Sequence, residues 1–74
     1  MATSEIRLQF AKKLKHLRLK KGFTQAQIAE LADMKLRHYQ KLESKRPSNV
    51  KLETMGRIAR ALKVSPSKLL DFAK

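Results

Sequence analysis

Apolar residues recur along the chain at helical spacing, in groups that predict five helices. In the first group Ile6, Phe10, Leu14 and Leu17 fall at steps of four, four and three, one stripe of a helix, while Lys12, Lys13, Lys15, Lys20 and Lys21 take its other faces. The spacing predicts a helix from about Glu5 to Lys21, stopped by Gly22, the residue type that enters the left-handed conformation without a side-chain penalty. Leu8 and Leu19 fall opposite the stripe.

Thr24 opens a second, short helix. Its hydroxyl is placed to accept from first-turn amides while Gln27, three residues on, reaches back to the Thr24 amide as a capping box. Ile28, Ala29 and Ala32 face the core, and the helix ends near Ala32. After Asp33, Met34 and Lys35 comes a third helix whose faces separate when each residue is turned by about 100°. Leu36, Arg37, Gln40, Lys41 and Ser44 share a polar outer face, and Tyr39 and Leu42 point the opposite way, with His38 on Leu42's side. A loop from Lys45 to Lys51 carries Pro47, Ser48 and Asn49. Leu52, Met55, Ile58, Ala59 and Leu62 form the stripe of a fourth helix. Ser65 and Pro66 are an N-cap and first-turn pair for a fifth, which carries Leu69, Leu70 and Phe72. No strand alternation, internal repeat or low-complexity linker interrupts the series.

Composition narrows what such a helical chain does. At 74 residues it is expected to be a single domain with one core, burying roughly 60% of its unfolded surface. It has no cysteine, so neither disulfides nor thiolate metal sites are available, and a reducing compartment fits. The first ten residues mix Glu5 and Arg7 among apolar ones and offer no secretory segment, and no apolar run approaches the roughly 20 residues of a membrane span. A soluble, cytoplasmic protein is expected. Eighteen Lys and Arg against six Asp and Glu leave a formal charge of +12. That excess goes beyond what solubility needs and points to a polyanionic partner.

Two short helices joined by about three residues, the second with a polar outer face, meet the description of a helix-turn-helix. The stretches GFTQAQIAELADM, YQKLES and KLETMGRIARALKVSPSKLL, together running from about Phe10 to Leu70, resemble the XRE group of phage repressor and Cro-like domains. The resemblance implies an all-α, compact five-helix lambda-repressor-like DNA-binding domain over residues 1–74, with the helix-turn-helix at about 24–44. It implies that Gln25 meets a backbone phosphate or braces a base-reading side chain. It also implies that Arg18 pairs with Glu43 as a structural tie between the first and third helices. The residues themselves agree, because Glu43 is the one acid in a basic stretch and lies on the inward edge of its helix beside Tyr39.

For base reading the outer face offers Arg37 and Lys41, one turn apart, which both donate to guanine O6 and N7, and Gln40, whose amide pairs with adenine. Lys35, Lys45 and Arg46 flank the helix and suit phosphates, which fix register without reading sequence. The chain departs from the resembled pattern at several places. Asp33 stands where the turn usually has glycine, tolerable because Asp visits the left-handed region more readily than most residues. Lys35 replaces the usual Ser or Thr cap, giving up about 1 kcal/mol of capping. Leu36 sits where relatives often carry a polar base reader, and so suits a thymine methyl. Lys51 replaces a common cap of the fourth helix, leaving Ser48 or Asn49 as substitute.

His16 and His38 lie in different helices with no cysteine or acidic cluster at metal-ligand spacing, and Ser65 and Ser67 have no paired base, so neither a metal, a cofactor nor an enzyme is expected. A membrane-surface role would need an apolar face left free by the first helix, whose stripe belongs to the core. The expected partner is double-stranded DNA, bound by a repressor acting as a homodimer that docks through the fifth helix and the adjoining loop, on half-sites about 34 Å apart. The alternative is an antitoxin or adaptor whose main task is holding a protein partner such as a toxin.

Overall fold

The computed structural model describes residues 3–71, and every regular element in them is an α-helix: α1 Thr3–Lys21, α2 Gln25–Leu31, α3 Leu36–Leu42, α4 Leu52–Leu62 and α5 Pro66–Leu69. Three of these helices close in the same way. At the end of α1, Gly22 takes φ +81°. Its amide donates to the Leu19 carbonyl, and the Phe23 amide to that of Arg18, both at 3.1 Å. Asp33 (φ 55°) closes α2 and Lys63 (φ 59°) closes α4 with the same pair of backbone bonds, Asp33 to Glu30 with Met34 to Ala29, and Lys63 to Arg60 with Val64 to Ala59. Each closure uses carbonyls that the last helical turn leaves without partners. At the start of α2 the capping box forms as the spacing predicts: the Gln27 amide donates to Thr24 Oγ1 at 3.1 Å and the Thr24 amide to Gln27 Oε1 at 2.8 Å.

The core draws on all five helices: Phe10, Leu14 and Leu17 of α1, Ile28 and Ala29 of α2, Tyr39 and Leu42 of α3, Met55, Ile58, Ala59, Ala61 and Leu62 of α4, and Leu69 of α5. α4 is the hub, packing against α1, α2 and α5, and α2 also packs against α3. That shared support holds α2 and α3 in fixed relation although each has only seven residues, too few to be stable alone.

Several expectations are corrected. Ile6 is 46% exposed, because steps of four residues drift about 40° each and the buried arc of α1 runs instead through Ala11 and Arg18. Leu52 is 82% exposed: it is the first residue of α4, a quarter turn off the arc centred on Met55 and Leu62. His38 is exposed, since nothing covers α3 on that side of Leu42. Neither Ser48 nor Asn49 caps α4, whose N-cap Lys51 has no side-chain bond. Helix α5 is a single turn, and the Ser65 hydroxyl lies 3.0 Å from Ser67 Oγ instead of capping it. Leu70 remains half exposed, and Phe72 lies outside the described residues.

Candidate nucleic-acid interface

Helices α2 and α3 pack on each other across the turn at Ala32–Lys35, and the end of α3 is tied down by one carboxylate. Glu43 Oε2 accepts from Arg18 Nε at 2.8 Å and from the Tyr39 hydroxyl, and Oε1 accepts from Arg18 Nη2 at 3.0 Å and from Gln25 Nε2 at 3.1 Å. A third guanidinium nitrogen, Nη1, donates to the Phe23 carbonyl at 2.8 Å. Donors from α1, α2 and α3 therefore meet at a single acid with both Arg18 and Glu43 side chains nearly buried. Burial by itself pushes the Glu43 carboxyl up, but the bonds from Arg18, Tyr39 and Gln25 outweigh it and hold it below the usual carboxylate range. Burial, and then the bond to Glu43, pushes the Tyr39 phenol far up. The Arg18 guanidinium is raised by its bond to Glu43, so the pair stays charged.

With its inner edge anchored, α3 presents the other edge to solvent. Leu36, Arg37, Gln40 and Lys41 are all exposed, and no side-chain hydrogen bond or ion pair among the described residues holds Arg37, Gln40 or Lys41. Arg37 and Lys41 are one turn apart, so two cations and an amide line a face free to take acceptors from outside. Lys35 is exposed at the N-terminal end of α3, and as N-cap its side chain makes no capping bond. Lys45 and Arg46 are exposed just beyond the C-terminal end, where they border a shallow cleft with Glu5 and Arg7 of α1. Ser44 donates its hydroxyl hydrogen back to the Lys41 carbonyl at 2.7 Å, so it has no hydrogen left to give an outside acceptor.

The Gln25 amide donates one hydrogen to Glu43 at the rear of α3. The Gln25 and Tyr39 bonds to Glu43 were not foreseen from sequence. For Tyr39 the signal is present, because residues four apart on a helix are neighbours. For Gln25 the bond depends on tertiary packing and leaves no trace in spacing. His, Asp and Glu form no group able to hold a metal ion among the described residues, and no helix there is long and apolar enough to cross a membrane.

Residues 14–69 match the family model described as helix-turn-helix, most of the chain and all of α2 to α4. Among solved structures, the chain is similar to the restriction-modification controller protein C.AhdI from Aeromonas hydrophila, at 28% identity and a TM-score of 0.81 over 85% of this chain and 94% of that one. No curated protein matches it in sequence.

Proposed function

Because the chain belongs to the helix-turn-helix family of the XRE type, whose members are non-enzymatic, DNA-binding transcriptional regulators, we propose that it reads a pseudo-palindromic operator as a homodimer and acts as a repressor. Helix α3 enters the major groove. Arg37 and Lys41 donate to guanine, Gln40 pairs with adenine and Leu36 packs on a thymine methyl. Lys35, Lys45 and Arg46 bind phosphates on either side, and Gln25 has a second amide hydrogen left for another. The observation that carries this reading is the contrast between the two edges of α3, one locked by the Glu43 network and the other exposed with its donors unengaged. A rigid helix with free donors suits readout, since little order is lost on binding.

The dimer is supported at the C-terminal end, where Leu70 is half exposed beside α5 and Val64 is partly buried in the adjoining loop. The similarity to a restriction-modification controller suggests one setting, control of a restriction-modification system in the cytoplasm of a bacterium. Selection of bound duplexes from a random pool at near-physiological salt tests the function. An enriched palindrome supports it. A pool retained without enrichment means that charge holds the backbone alone and favours the antitoxin or adaptor reading.

A further inference from the structure

Beside the outer face of α3 lies a groove of about 520 Å³, between that helix and the loop leading to α4. Its floor is apolar, formed by Met34, Leu42 and Val50, of which Met34 and Val50 are only partly covered by the core. Its rim is cationic, formed by Arg37, Lys41 and Lys51, and no Asp or Glu lines it. Lys51 is the N-cap of α4 and its side chain makes no capping bond, so its charge is uncommitted. His38 stands at the edge, exposed against solvent. Small-molecule sites occupy roughly 300–1,000 Å³ and combine apolar walls with a few polar anchors, and this groove has that size and that division.

We propose that this groove binds a small aromatic carboxylate, with its ring on Met34 and Val50 and its charge among Arg37, Lys41 and Lys51. An inorganic anion would leave the apolar floor wet, and a neutral ring would leave the cationic rim without a partner from the ligand. An aromatic anion answers both demands, and its flat face also suits the Arg37 guanidinium. A ligand seated there occupies Arg37 and Lys41, so it competes with DNA. That consequence, unlike the site, rests on the base-reading role given to those residues.

The test is a titration of the DNA-free protein with 2-naphthoate, followed by amide NMR shifts at near-physiological salt. Saturable shifts are expected at Met34, His38, Val50 and Thr54, with none from acetate over the same range. Lys51→Glu, at an exposed position with no bond to lose, should weaken binding about ten-fold or more while leaving the rest of the spectrum in place. Shifts scattered over the lysines of α1, or an affinity that Lys51→Glu leaves unchanged, overturn the proposal. Measured next with a selected duplex, saturating 2-naphthoate should lower DNA affinity. Localised shifts with unchanged DNA affinity would uphold the site and instead contradict the placement of Arg37 and Lys41 against bases.

Discussion

At Glu43 an anion sits at the C-terminal end of a helix, the end whose dipole disfavours negative charge. Four donors reverse that penalty and draw three helices together. The folded carboxyl lies below its ordinary value of 4.5, so its stabilising contribution is complete above that value and is lost as pH falls through the folded one. Denaturant midpoints should therefore hold near neutral pH and fall on the acid side. Glu43→Gln should cost roughly 3–5 kcal/mol, because it leaves Arg18 charged and nearly buried without a counter-ion, and should flatten part of the acid limb. An unchanged midpoint would show that the network is ornamental. The Tyr39 phenol has the opposite sign: its contribution is present below its ordinary value of 10.0 and is lost as pH rises past it. Lys63 is a second residue under constraint, a long side chain at φ 59° closing α4. Lys63→Gly should gain about 1 kcal/mol, read as a higher thermal midpoint.

Among the elements, α3 is the one whose sequence sets function against stability. Its N-cap is a lysine that makes no capping bond, where Ser or Thr would satisfy a first-turn amide. Lys35→Ser should stabilise the protein by about 1 kcal/mol and, if Lys35 meets a phosphate, weaken DNA binding for all sequences alike. Gains in both stability and affinity would place Lys35 away from DNA. The end of α1, the start of α2 and the turn between α2 and α3 were legible in the sequence because they depend on local chemistry: Gly22, the Thr24 and Gln27 box, and Asp33 act on their immediate neighbours. The arc a helix buries was less legible. Ile6 and Leu52 share the periodicity of the core yet lie at the edge of what other helices cover, and only packing decides that boundary. The same holds within the interface. Arg37, Gln40 and Lys41 follow from the rotation of α3, but the Gln25 bond to Glu43 requires α2 and α3 to be docked first.

For the molecule as a whole, a charge of +12 in a body 32 Å long makes ionic strength the main lever on affinity. A dimer making about six to ten phosphate contacts should lose about three to five decades of affinity between 50 and 200 mM salt. Sedimentation at micromolar concentration should find dimers, at least with operator present, and persistent monomers in both conditions would remove the two-fold arrangement. The division of labour proposed for α3 has its exposed edge reading bases and the residues flanking it holding phosphates. Its most direct test is the affinity of the Arg37→Ala and Lys45→Ala proteins for a selected operator and its single-base variants. Arg37→Ala should lose about 1–3 kcal/mol of discrimination at one base pair, and Lys45→Ala should weaken every duplex alike and reduce the salt slope by about one. Equal, sequence-independent losses from both substitutions would contradict that division.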